Sequence, residues 1–199
     1  MRIGIYGGTF NPIHNGHLLL AQTALERLAL QQVIFVPAGI PPLKGDDQLV
    51  DAAQRLHMVG LAIAGHHSFS LCDFEARRPQ KSYTLDTVRH LTEQFHSDCE
   101  FFFILGDDCA ANLHRWKGID ELCQLLQFVQ VRRLGCDLPE RTPALLTLDM
   151  PPLALSSTVL RQRLGSRQAI DHLTPAPVAQ YIRRHRLYRP AAPCATEEP

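Results

Sequence analysis

Apolar positions along this chain follow two rhythms. Short continuous runs, "IGIY" at 3–6, "VIFV" at 33–36 and "FFFIL" at 101–105, are closed by glycine or proline and predict strands buried on both faces. Between them the spacing lengthens to three and four residues. Leu18, Ala21, Leu25 and Leu28 predict a helix over 16–29. "DAAQRLHMVGLAIAG" predicts a second helix, with Asp51 as N-cap and Gly65 just past its end. A weaker strand, "FSLCDFE", a helix over 84–95, a short helical stretch and "ELCQLL" follow in turn. "FVQVRR" and "ALLTLD" are expected to be later strands, and "SSTVLRQRLG" and "PAPVAQYIRRHRLY" to be closing helices.

Strand–helix alternation of this kind implies an α/β fold: a Rossmann-like, doubly wound, mostly parallel sheet with helices on both faces. Ligands of such sheets bind beyond the C-terminal strand ends, which puts the loops after residues 6, 36 and 104 on one rim. A single domain over 1–189 is expected, with a disordered Pro- and Ala-rich tail over 190–199.

Bulk composition narrows the partners. Lys+Arg and Asp+Glu both number 20, so no global field favours nucleic acid or acidic lipid, and any anion site is local. No run approaches the roughly 20 apolar residues of a membrane span. The 6 cysteines are scattered, with no C-x-x-C pair. Buried free thiols and a cytoplasmic setting are therefore expected.

The turn at 7–17, "GGTFNPIHNGH", is over-equipped for a mere connection. Gly7 and Gly8 permit a sharp turn and close approach of backbone to a ligand. Asn15 and Gly16 open a helix whose free amides and partial positive charge suit an anion. His14 and His17, three residues apart, can address the same phosphate. The spacing is neither G-x-x-x-x-G-K-[ST] nor G-x-G-x-x-G, and no third Cys, His or carboxylate sits at metal-ligand spacing. Far along the chain, Ser156, Ser157 and Thr158 precede an apolar-periodic segment. They can cap a helix, or cradle phosphate oxygens with Arg161 one turn further on.

The string "GGTFNPIHNGH" resembles the first signature of the nucleotidyltransferase superfamily, and "LSSTVLR" resembles its I-S-S-T-x-x-R signature, with Leu155 for Ile. Four further segments resemble the bacterial nicotinate-nucleotide adenylyltransferase branch. They are "PAGIPPLKG", "KSYTLDT", "ILGDD" with "LHRWKGIDELC", and "TPAPVAQYIRRHRLYR". Two departures stand out: Asn11 where Asp is frequent, and Leu43 where the branch usually has His.

The resemblance implies adenylyl transfer from ATP to nicotinate mononucleotide, giving deamido-NAD and pyrophosphate, with Mg²⁺ carried by the ATP phosphates. His14, His17 and Arg161 would be the catalytic groups. Gly7, Gly8, Thr9, Phe10, Gly16, Lys44, Asp108, Ser156, Ser157 and Thr158 would hold ATP. Ser82, Tyr83 and Thr84 would offer neutral donors to the nicotinate carboxylate, and Trp116 a stacking face for the pyridine, although a core role for this single Trp is equally open. Asp107 has no assigned role, and Arg132 and Arg133 are either phosphate contacts or surface residues. Transfer to nicotinamide mononucleotide or phosphopantetheine is the alternative within this chemistry. A non-catalytic nucleotide-binding protein is the alternative outside it.

Overall fold

The computed structural model describes residues 1–40, 49–81, 83–95, 98–106, 110, 112–133, 145–150 and 153–189, except the side chains of Arg132 and Arg133. The apolar runs become strands β1 (Arg2–Gly8), β2 (Gln32–Pro37), β3 (Phe69–Leu71), β4 (Glu100–Leu105), β5 (Gln127–Arg133) and β6 (Leu146–Met150). The helices are α1 (Asn15–Arg27), α2 (Ala52–Ile63), α3 (Thr84–Gln94), α4 (Ile119–Leu125), α5 (Ser157–Gly165) and α6 (Ala176–Arg184), with a 3₁₀ turn at Leu113–Arg115.

The strands form one sheet in the order β3-β2-β1-β4-β5-β6. Each neighbouring pair is parallel. Strand order therefore reverses between β1 and β4, the point at which sheets of this kind bind ligands in a crevice beyond the C-terminal strand ends. Burial on both faces shows in β2, where Val33 and Phe35 join one core while Ile34 and Val36 join the other. The first core is closed by residues of α1, α2, α5 and α6, such as Ala21, Met58, Leu160 and Val178. The second is closed by Leu85, Val88 and Leu91 of α3 and Leu122 of α4.

Local signals set several element ends. Asp51 caps α2 by accepting from the Ala53 amide at 2.8 Å, and Gly65 leaves the helix at φ 87°. Ser156 caps α5 by accepting from the Val159 amide at 3.2 Å. Three boundaries differ from the sequence reading. β1 continues through Gly7 and Gly8, which pair with Val36 and Pro37. β3 stops at Leu71, because the chain turns at Asp73, whose carbonyl accepts from the Arg77 amide. The last helix ends at Arg184, ahead of Arg186 and Tyr188 in the left-handed region. The expected tail at 190–199 lies outside the described residues.

Candidate active site

Beyond β1 the chain makes a tight turn before entering α1. Phe10 sits there at φ 48°, a conformation that a bulky side chain adopts only when its surroundings over-determine it. Its ring is buried against Tyr6, His17 and Phe35, with centroids 5.4, 5.1 and 5.9 Å away. Phe10 thus faces the core, and only its backbone is left to meet a ligand.

The two glycines serve this packing. A Cβ on Gly8 would stand 2.9 Å from the Phe10 ring, and one on Gly7 the same distance from Phe103. The sequence reading assigned both to close ligand approach; the structure adds an internal steric reason for each.

Distant side chains hold the turn by its carbonyls. Arg55 of α2 donates to Thr9 O at 2.8 Å, Arg161 to Asn11 O at 2.9 Å, Ser157 to Pro12 O at 2.9 Å, and Thr174 to Ile13 O at 2.9 Å. The Asn11 side-chain oxygen accepts from the Tyr188 hydroxyl at 2.9 Å and the Val50 amide at 3.2 Å. Asn11 therefore accounts for itself as an acceptor, a task that needs no negative charge.

Arg55 is 1% exposed, and its other donors reach Val50 O and Gly39 O. Burial pushes its pKa below the ordinary guanidinium value, opposed by the nearby Tyr188, Asp51 and Glu75. The sequence reading missed it, yet a signal was present. Arg55 falls on the stripe it shares with Met58, Val59 and Ala62, where a charge is out of place unless its donors are satisfied.

His14 is the N-cap of α1 and is buried, whereas His17 is half-exposed. The His14 amide donates to His17 Nδ1 at 3.1 Å. An accepting Nδ1 leaves the neutral ring's proton on Nε2, so His17 presents an N–H donor at its far side. Two first-turn amides are not free as expected: Asn15 N–H donates to Leu173 O at 3.0 Å and His17 N–H to His14 O at 2.9 Å. A Cβ on Gly16 would meet the His14 ring at 3.0 Å, which explains the glycine between the histidines.

A second cluster lies on the opposite face of the same rim. Trp116, half-buried, meets Phe103 and Phe128 edge-on, with ring centroids 5.4 and 6.1 Å apart. Lys117 lies over the Tyr83 ring at 4.6 Å, and a Cβ on Gly118, at φ 70°, would stand 2.5 Å from Leu85. Arg89 and Glu121 add a bidentate pair between α3 and α4, both bonds 2.7 Å. Tyr83, the N-cap of α3, thereby meets Lys117, the residue that follows Trp116. Behind them the buried Thr87 hydroxyl donates to Glu75 at 2.6 Å. Phe103 links the two clusters, since it touches Trp116 and limits Gly7.

Ser156, Ser157, Thr158 and Arg161 stand together at the start of α5, and Arg161 also reaches the Thr158 hydroxyl at 3.4 Å. Lys44, Leu43, Ser82, Asp107 and Asp108 lie outside the described residues, as do the side chains of Arg132 and Arg133. Among the described residues no group of three His, Cys, Asp or Glu could hold a metal ion, and no helix is long and apolar enough to cross a membrane.

A cytidylyltransferase-like family model matches residues 5–163. The chain is 41% identical over 187 residues to the nicotinate-nucleotide adenylyltransferase of Bacillus subtilis, covering 94% of this chain and 98% of that protein. The chain belongs to the nicotinate-nucleotide adenylyltransferase family. A relative from Oceanobacillus iheyensis, named a probable nicotinate-nucleotide adenylyltransferase, is 44% identical over 186 residues, which span 94% of this chain and 96% of the relative. The fold is shared with Plasmodium falciparum nicotinic acid mononucleotide adenylyltransferase, solved in complex with NaAD, at a TM-score of 0.77 and 22% identity. That alignment covers 94% of this chain and 97% of the other. Within this adenylyltransferase family the crevice between β1 and β4, flanked by the two clusters, is the candidate active site.

Proposed function

We infer that the chain transfers the adenylyl group of ATP to nicotinate mononucleotide, forming nicotinic acid adenine dinucleotide and releasing pyrophosphate. The observation that carries the assignment of ends is the two-sided rim. Imidazoles, hydroxyls and a guanidinium gather on the α1 face, and an aromatic with a helix start gathers on the α3 face.

The nucleophile is a phosphate oxygen of the mononucleotide, ionised near neutral pH, so no general base is required. It forms a bond to the α-phosphorus as the bond to the bridging α–β oxygen breaks, and that oxygen's electron pair leaves with pyrophosphate. Two anions must be brought together in line, so positioning and charge neutralisation supply the rate enhancement. His17 offers its Nε2–H to phosphate oxygens, and His14 at the cap of α1 lies against it. The pyrophosphate end is assigned to Thr158 and Arg161 at the start of α5, with Ser156, Ser157 and Lys44. Gly7, Gly8, Thr9, Phe10 and Gly16 contribute backbone, and Asp108 is assigned to the adenosine.

The first-turn amides of α3, with Ser82, Tyr83 and Thr84, favour a carboxylate over an amide on the pyridine ring, because donors suit two acceptor oxygens better than an NH₂ group. Trp116 supplies the flat face for that ring. Mg²⁺ bound to ATP would lower the charge on the phosphates. Imidazole, hydroxyl and guanidinium donors fit an ion held by phosphate oxygens and water rather than by protein carboxylates. The free thiols, half-buried at Cys72 and Cys99 and exposed at Cys123 rather than buried as expected, suit a reducing cytoplasm.

The test is pyrophosphate release from ATP with each mononucleotide in turn. Nicotinate mononucleotide should be the preferred acceptor, and preference for phosphopantetheine would overturn the assignment.

A further inference from the structure

Thr174 lies between α5 and α6 and is 1% exposed. Its hydroxyl donates to Ile13 O at 2.9 Å. The flanking segment makes two more bonds to the start of α1: Leu173 O accepts from the Asn15 amide and His172 O from Asn15 Nδ2, both at 3.0 Å. Residues 172–174 and 13–15 are thus laced together.

The peptide unit between Ile13 and His14 is planar, and in a trans peptide the C=O and N–H point in opposite directions. Holding the Ile13 carbonyl towards Thr174 therefore aims the His14 N–H the other way. That N–H is the one that donates to His17 Nδ1 at 3.1 Å. The sequence of donors and acceptors runs without a break: Thr174 O–H to Ile13 C=O, across one peptide to His14 N–H, then to His17 Nδ1. Each bond polarises the next, which favours the whole chain over its parts.

We propose that Thr174 is a positioning residue for His17: through the Ile13–His14 peptide it sets the ring's orientation and keeps its proton on Nε2, facing the nucleotide phosphates. This rests on the reading of the β1–α1 turn as the triphosphate site. The Ile13 carbonyl points away from the His17 ring, and the donor that meets it stands 161 positions along the chain.

The experiment compares Thr174→Val, Thr174→Ser and His17→Ala in turnover and in ¹⁵N NMR of the histidine rings. Thr174→Val keeps shape and removes the donor; turnover should fall on the order of tenfold, less than for loss of the imidazole. Thr174→Ser keeps the donor and loses a methyl, and should stay within about twofold of wild type. A role confined to packing gives the reverse order, Ser worse than Val, and overturns the proposal.

In wild type at about pH 8.5, two units above the ordinary imidazole value, the His17 spectrum should show the Nε2–H tautomer. Thr174→Val should show a mixture. An Nδ1–H ring in wild type overturns the proposal even if the valine variant does not fold. Full loss in His17→Ala with no change in Thr174→Val defeats the Thr174 role alone. No loss in His17→Ala defeats the reading of the turn.

Discussion

The imidazole rings of His14 and His17 lie stacked, their centroids 3.6 Å apart and their planes 21° from parallel. Two positive charges at that separation would repel by roughly 4 kcal/mol even at an effective dielectric constant of 20. Stacking without that repulsion is met when at most one ring is charged, and the pair is buried on the His14 side and open on the His17 side. Replacing His17 by Ala should lower turnover on the order of 10²–10³-fold, the usual cost of one preorganised donor to developing charge. The fold should survive, because His17 is half-exposed and its neighbours in α1 stay packed. Steady-state kinetics with circular dichroism checks this, and near-normal turnover would remove His17 from the mechanism.

Gly8→Ala should damage the same site by another route. Its new methyl would meet three Phe10 ring atoms at 2.9, 3.0 and 3.2 Å, and Phe10 in turn packs edge-on against His17. Overpacking of this kind costs about 1–3 kcal/mol, visible as a lowered Tm. Catalysis should suffer more than stability, as the displaced ring carries His17 with it. A lowered Tm with unchanged kcat/KM for ATP would show that the turn tolerates the shift.

Trp116→Ala should weaken nicotinate mononucleotide binding at least tenfold while leaving ATP affinity within a few-fold. Stacking is worth roughly 0.5–1.5 kcal/mol beyond area burial, and 1.4 kcal/mol is a factor of ten. The edge-on contacts to Phe103 and Phe128 mean that some stability goes too. Titrating each ligand separately decides the matter: equal losses for both would make Trp116 a packing residue only.

At Gly118 an alanine would have to occupy φ 70° with its Cβ 2.5 Å from Leu85. Strain of about 1 kcal/mol or more is expected from the backbone alone, with steric overlap added. Because this contact seats the Trp116 turn on the start of α3, KM for the mononucleotide should rise while KM for ATP holds. A rise in both would place the effect in the sheet rather than in this cluster.

Acid sensitivity has one identifiable contributor near the Thr174 segment. The Arg183 guanidinium, by hydrogen bond and charge, holds the Asp171 carboxyl below its ordinary value. A depressed carboxylate stabilises the fold above its unfolded pKa, about 3.9, and loses that contribution as pH falls through the lowered folded value. Asp171→Asn should thus lower Tm slightly at pH 7 in low salt, and the gap to wild type should close in strong acid. A gap that persists unchanged at low pH would assign the effect to something other than the ion pair.

The positions of strands and helices, the Asp51 and Ser156 caps, and the glycine–histidine turn were legible in the chain itself. Each depends on residues within about one helical turn or one strand pleat of each other, so periodicity and cap chemistry suffice to mark them. The parallel sheet followed from the same alternation. What only the tertiary structure decided is which groups the turn leans on. Ser157 and Pro12 are 145 positions apart, and Thr174 and Ile13 are 161 apart. Their meeting depends on the strand order β3-β2-β1-β4-β5-β6, which brings α5 and the start of α6 beside α1. Sequence reading takes Ser157 and Arg161 as phosphate ligands and gives Arg55 and Thr174 no role. A hydroxyl or guanidinium carries no mark of the carbonyl it will reach until the backbone on the far side of the core is in place.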